Sequence, residues 1–314
     1  MGVLVTGGAG FIGSVLVGRL LRSGHPVTVL DNFASGERGR RNAMELRRLG
    51  AHVCEGDLRD GAALEQVLPG HEQIAHLAAM ASVPESFADP RKCWEVNVEG
   101  TCGLLQAARG RVRRVVFISS ASVYGVEPRL PSREEDPAAP ASPYAESKLR
   151  SEFDCQAARA GGLETVALRL FNVYGPGQDP LSSYSGVLTR WTRALQSSEP
   201  VALYGDGSQT RDFVHVEDTA AAIAAALFRP EAPFGPINIG SGSPTSLWEV
   251  LSVLSAALGR EPELRRMPSR EGDVRHSCAE ITRAREFLGF RAGVGLREGI
   301  ASLLSGSEFR GGTS

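Results

Sequence analysis

The first half of the chain alternates short, nearly continuous apolar runs with stretches whose apolar residues recur every three or four positions. The runs are Val3–Val5, Val27–Leu30, His52–Cys54, Gln73–His76, Val115–Ile118 and Thr165–Leu168. Too short for helices and lacking polar alternation, they predict strands buried on both faces. Between them, Phe11–Arg22 and Val96–Ala108 carry amphipathic helical spacing. Strands alternating with helices in this way predict an α/β fold, a doubly wound parallel sheet covered on both sides.

After about Phe171 the texture changes. Gly175–Ser185 and Tyr204–Gln209 are rich in Gly, Pro, Ser and Asp and read as loops. Helical patterns follow at Val187–Gln196, Val216–Leu227, Thr245–Leu258, Glu280–Leu288 and Leu296–Leu304. The expected organisation is a sheet domain at residues 1–172, to which 212–240 return. Residues 173–211 and 241–305 form a smaller, mainly helical region, and 306–314 have the composition of a frayed tail.

Composition removes several function classes. A net charge of −2 over 314 residues leaves no electrostatic footprint for nucleic acid. No apolar run approaches the ~20 residues of a membrane span, and the N-terminus lacks the charged-then-apolar plan of a secretory signal. The five cysteines are scattered without a Cys-x-x-Cys pair, which predicts reduced thiols and a cytoplasmic location. The six histidines show no ligand spacing, so no metal is expected.

The chemistry begins at Gly7-Gly8-Ala9-Gly10-Phe11-Ile12-Gly13, between the first strand and the first helix. Gly7 permits the tight turn, Gly10 lets a pyrophosphate approach the helix N-terminus, and Gly13 lets helix and strand pack closely. This strand–turn–helix context makes the sheet Rossmann-type. Asp31 ends the second strand, where a carboxylate accepts hydrogen bonds from an adenosine ribose and repels a 2′-phosphate, favouring NAD over NADP. Asp57-Leu58 follow the third strand, at the adenine. Leu77-Ala78-Ala79 follow the fourth, beneath the cofactor, though alanine-rich turns are also ordinary packing.

A second cluster is Ser119-Ser120-Ala121-Ser122 with Pro143-Tyr144-Ala145-Glu146-Ser147-Lys148. With Pro143 in a helix's first turn, Tyr144 and Lys148 share one face. An ammonium beside a phenol lowers the phenol pKa towards that of a general base. A hydroxyl from Ser120 or Ser122 reaches the phenol across a pocket. The same spacing also arises on solvent-facing helices.

Taken in order, Thr6–Gly13, His76-Leu77-Ala78-Ala79, Asn97, Ser119–Gly125, Tyr144–Lys148 and Arg169–Pro176 resemble the extended short-chain dehydrogenase/reductase family, nucleotide-sugar epimerase branch, to about residue 300. The resemblance implies NAD as cofactor, with Asn32, Asn97, Ser119, Tyr144 and Lys148 joining Phe11, Ile12 and the glycines around it. It implies a UDP-sugar substrate contacted by Ser82, Ser120, Ser122, Tyr144, Asn172, Gly186, Val187, Arg190, Val201, Leu203, Tyr204, Arg211, Arg270 and Asp273. Ser277 falls where the family gates the back of the sugar pocket, and its small side chain admits a bulky substituent. The resemblance also implies a homodimer through the helices near Val96–Ala108 and Tyr144–Ala160. Related dehydratases carry Asp-Glu where this chain has Ala121-Ser122, and decarboxylases carry Glu at Ser122. The absent acids therefore favour 4-epimerisation, with Tyr144, Lys148, Ser120 and Ser122 catalytic; elimination, or a fold that only binds NAD, is the alternative. Uronate-specific relatives carry arginine after Tyr-Gly-Pro, where this chain has Gly177-Gln178-Asp179, leaving Arg190 as the candidate partner for a sugar carboxylate.

Overall fold

Twelve strands and twelve α-helices are distributed over a computed structural model that describes residues 2–179, 186–231, 233–269 and 273–305. The main sheet contains β1 (Gly2–Thr6), β2 (Val27–Asp31), β3 (His52–Glu55), β4 (His71–His76), β5 (Arg114–Ser120), β6 (Glu164–Leu170) and β10 (Pro236–Ile239). Their order is β10-β6-β5-β4-β1-β2-β3, every pairing is parallel, and this is the expected doubly wound sheet. The direction of winding reverses between β1 and β4, which opens a crevice at the carboxyl ends of the strands.

Alternation along each strand explains why the runs read as continuously apolar. Val3, Val5, Val116 and Ile118 pack on one side with α1 (Phe11–Arg22) and α9 (Val216–Phe228). Leu4, Val115 and Phe117 pack on the other with α3 (Gly61–Val67), α6 (Gly100–Ala108) and α7 (Pro143–Ala160). The long helical pattern at Val96–Ala108 is not uniform: Glu95–Glu99 form a π-helical turn before α6. Such a turn adds a residue to the helical circuit and turns a side chain towards a neighbour; here it is Asn97.

The second region has its own core. Leu188 and Trp191 of α8 (Val187–Gln196), Val201 and Leu203 of β8 (Val201–Tyr204), and Leu247, Leu251 and Leu254 of α10 (Leu247–Leu258) pack with Tyr174 and Phe213. A capping box between Ser246 and Glu249 starts α10, and Gly259 in the left-handed conformation ends it. Two short sheets brace the region, β7 (Asn172–Tyr174) with β9 (Thr210–His215) and β11 (Pro244–Ser246), and β8 with β12 (Leu264–Met267). Residues 212–215 thus pair in a small sheet; return to the main one comes through α9 and β10.

Candidate active site

The glycine turn between β1 and α1 is shaped by close approaches. Gly7 has a φ of 71°, and a Cβ there would sit 2.6 Å from the Ala78 nitrogen. A Cβ on Gly13 would collide with the Gly7 carbonyl oxygen. The Ala9 peptide is gripped on both sides: its N–H donates to Asp31 Oδ2 at 2.9 Å, and its carbonyl accepts from Asn42 Nδ2 at 2.9 Å. Asp31 Oδ1 accepts the Phe33 N–H at 2.8 Å. Burial raises the Asp31 pKa, against the lowering effect of those two N–H donors. Gly10 begins α1 with no side-chain cap, so the first-turn amides face the crevice ready for an anion. An uncapped helix start, a glycine cradle and an acid at the end of β2 fit a dinucleotide.

Below the cradle, buried hydrogen bonds fix the turn after β4. Thr101 Oγ1 donates to the Asn97 carbonyl at 2.5 Å, so it accepts Nε2–H of His76 at 2.9 Å. His76 Nδ1 then accepts from Thr6 Oγ1 at 2.7 Å, and Thr6 accepts the Ala78 N–H at 3.4 Å. Burial drives the His76 pKa down to about 3, with Lys148 adding to the effect. The Asn97 side chain accepts from the Met80 N–H at 2.8 Å and donates to the Met80 carbonyl and to Ser147 Oγ. It is therefore committed to supporting the Leu77–Met80 turn. Asn32 and Asp57, expected to meet the adenosine, are bonded to each other at 3.0 Å, and Arg59 pairs with Asp57 at 2.9 Å. The Arg59 guanidinium, hydrogen-bonded to it, holds the Asp57 carboxyl far below its usual range.

The Tyr144–Lys148 pair stands on α7, where Ser142 caps Ala145 N–H and Pro143 occupies the first turn. Lys148 is buried, and its Nζ donates to the Ile118 carbonyl at 2.8 Å. It lies 5.9 Å from the Tyr144 ring centre and 4.9 Å from that of Phe117. Burial lowers the Lys148 pKa to about 8. The Tyr144 phenol is pushed up to about 12 by burial, with the nearby Ser120 hydroxyl working the other way. The expected lowering by Lys148 is not seen in the protein alone, where lost hydration at the phenol dominates. Ser120 ends β5 and caps the turn Ala121–Tyr124, accepting the Ser122 N–H at 3.2 Å. The buried Ser122 Oγ has no hydrogen-bond partner in the protein.

Ser119, next along β5, turns away from the crevice. Its hydroxyl donates to Glu152 Oε1 at 2.5 Å, and Glu152 is held bidentately by Arg169 at 3.0 and 2.8 Å. Strand periodicity, which alternates faces, puts Ser119 behind the site and Ser120 in it.

On the substrate side, Arg211 and Asp273, 62 positions apart, pair at 2.8 Å, as neighbours in one clamp. Gly186 begins α8 with no side-chain cap, beside Val187, while Arg190 and Asn172 are exposed. Gln178 accepts from the Thr189 hydroxyl, tying the loop after β7 to α8. Arg270 lies outside the described residues. Val201 and Leu203 are wholly buried, so the opposite face of β8, with Ala202 and Tyr204, is the one left for a base. Ser82 is also wholly buried and caps α4 (Val83–Ala88) by accepting the Glu85 N–H at 3.2 Å. Asn42, Glu152 and the His76–Thr101 bond are additions; a polar residue at ordinary helical spacing gives no sequence signal of its distant partner.

Residues 3–240 match the NAD dependent epimerase/dehydratase family, and the chain belongs to it. It is 41% identical to the UDP-glucose 4-epimerase of Mycolicibacterium smegmatis over 311 residues, 96% of each chain. Among solved structures it is similar to the UDP-glucose 4-epimerase of Thermotoga maritima with UDP-glucose, at a TM-score of 0.91 and 34% identity, covering 98% of each chain. The Thermus thermophilus UDP-glucose 4-epimerase complex with NAD gives 0.88 and 38%, again over 98% of each. Among the described residues no helix is long and apolar enough to cross a membrane, and no cluster of His, Cys, Asp and Glu could hold a metal.

Proposed function

We propose that this protein is an NAD-dependent UDP-sugar 4-epimerase that inverts C4 of a UDP-hexose through a transient 4-keto sugar. The observation that carries the reading is Tyr144 one helical turn before the buried Lys148, with Ser120 near enough to favour the ionised phenol, at the open end of a sheet built to hold a dinucleotide. Tyr144 accepts the sugar O4 proton with Ser120 bridging, and Lys148 stabilises the phenolate electrostatically. A bound NAD would supply the hydride acceptor and donor for C4. The residues that would hold it are Gly7, Gly10, Phe11, Ile12, Gly13, Asp31, Asn32, Asp57, Leu58 and the turn Leu77–Ala79. Arg211 and Asp273, with Asn172, the α8 N-terminus and Tyr204, hold the nucleotide.

Ala121 and Ser122 supply no acid to eliminate water, so the ketone persists until it is reduced on its other face. The side chain after Tyr-Gly-Pro-Gly is Gln178, a neutral group committed to Thr189, which favours a neutral hexose such as UDP-glucose over a uronate. We place the enzyme in the cytoplasm on its unpaired cysteines. We further propose a homodimer through α6 and α7, where Phe153 is 55% exposed despite its size.

The test is the purified protein with UDP-glucose, UDP-N-acetylglucosamine and UDP-glucuronate in turn, without added NAD. At least one should interconvert with its 4-epimer and no NADH should accumulate. Inert nucleotide sugars, or a dehydrated keto sugar as product, would overturn the reading. Tyr144→Phe should stop turnover and keep NAD bound.

A further inference from the structure

The first turn of a helix leaves backbone N–H groups without helical partners, and at α7 each can be followed to its acceptor. Pro143 has none. Ala145 and Glu146 donate to the side chain and carbonyl of Ser142, at 3.1 and 2.9 Å. Tyr144 N–H instead crosses to another segment, donating to Ser86 Oγ of α4 at 3.2 Å. Ser86 is wholly buried and spends its own hydrogen on the Val83 carbonyl at 2.7 Å, which leaves a lone pair directed at Tyr144.

Given Tyr144 as the proton acceptor, we infer that Ser86 is a positioning residue for it. It ties the backbone of Tyr144 to α4, whose cap Ser82 follows directly on the turn beneath the cofactor site. The other anchor of the phenol, Ser120, stands on β5 and belongs to a different part of the sheet. One hydroxyl thus fixes the distance between the tyrosine's backbone and the serine that meets its oxygen. Proton transfer needs heavy atoms within hydrogen-bond reach, so a small drift of the helix start weakens the transfer while sugar and cofactor contacts elsewhere persist.

Without that tie the phenol shifts away from the Ser120 hydroxyl, whose proximity favours its ionised form. Its pKa then rises, and the rising limb of the kcat–pH profile moves to higher pH. A residue that served stability alone would lower the melting temperature and leave that limb in place.

The decisive variant is Ser86→Cys, close in size but with sulfur as a poor acceptor. It should keep its bound NAD and its KM for UDP-glucose within about twofold, lose on the order of tenfold in kcat, and shift the limb alkaline. Ser86→Ala gives the same readouts should the cysteine variant not fold, and Ser86→Thr, which retains the acceptor, should recover most of kcat. A wild-type kcat and an unmoved limb in folded Ser86→Cys or Ser86→Ala would overturn the inference. Tyr144→Phe run alongside separates the two claims: if it is inactive while the Ser86 variants match wild type, only the positioning role falls.

Discussion

Replacing Arg169 by methionine should destabilise the protein through the buried Glu152 carboxylate that it holds behind the crevice. Arg169 and Glu152 are 6% and 2% exposed, joined bidentately, and in the β5–β6 register Arg169 lies opposite Ser119. Removing the guanidinium strands a buried carboxylate beside the Ser119 hydroxyl, a loss of about 3–5 kcal/mol. Arg169 also donates to the Glu134 carbonyl at 3.2 Å and lies over the Tyr124 ring at 4.8 Å, which puts the expected loss at the upper end of that range. At about 2 °C per kcal/mol for a chain of this size, the melting temperature should fall by roughly 10 °C. Adding Glu152→Met should restore most of it, because an apolar pair in place of a buried ion pair is neutral or stabilising. Urea titrations of wild type, both single variants and the double variant close the cycle, with the double variant expected to lose far less than the sum of the two single losses. A loss under about 1 kcal/mol for Arg169→Met, or additive single effects, would refute the argument.

Two further outcomes follow from groups below the crevice. Because His76 is held at about 3 against an ordinary 6.5, the unfolded chain binds a proton between those values that the folded chain lacks. Its contribution is complete above pH 6.5 and lost as pH falls towards 3, at about 1.4 kcal/mol per pH unit. Unfolding free energies measured across that window should show a slope shallower by up to one proton in His76→Asn; an unchanged slope would exclude His76 as its source. Gly13→Ala drives a Cβ into the Gly7 carbonyl oxygen and should cost the protein its bound NAD while circular dichroism keeps the α/β signature. Full NAD content in that variant would mean the turn relaxes at little cost.

How much was legible in the sequence depended on whether a residue's role is local. Six of the seven strands of the main sheet announced themselves as apolar runs, as Leu4 between Val3 and Val5 illustrates, while β10 was not among them. Glycine contacts were legible too, since close approach leaves no alternative residue. The faces of β8 were not legible: a four-residue strand has too few alternations to say which side meets the core, and the side chains of Val201 and Leu203 are core. Ser82, Asn97 and Ser119 lie in matching motifs, yet their side chains serve a helix cap, a turn and a buried ion pair. A short polar side chain is equally suited to ligand and backbone, and the choice rests with what folding brings near it. Partners such as Asn42 and Ala9 meet only after the strand between them is laid down.

The division of stiffness across the crevice bears on the chemistry. On the proton-transfer side, Lys148, Asn97, Ser86 and Glu152 are buried, and each has at least one short hydrogen bond to a different segment. On the side proposed for the nucleotide, Asp273 is 46% exposed, though paired with Arg211 at 2.8 Å, and Arg190 and Asn172 are exposed, so packing constrains them less. The proposed epimerisation requires the sugar to present both faces of C4 to one fixed reaction centre. A buried base facing a more exposed nucleotide site is compatible with that requirement, because the ring can turn about its diphosphate linkage without disturbing Tyr144. The reverse arrangement, a rigid sugar cage with a loose base, would suit a one-way reaction on a single face.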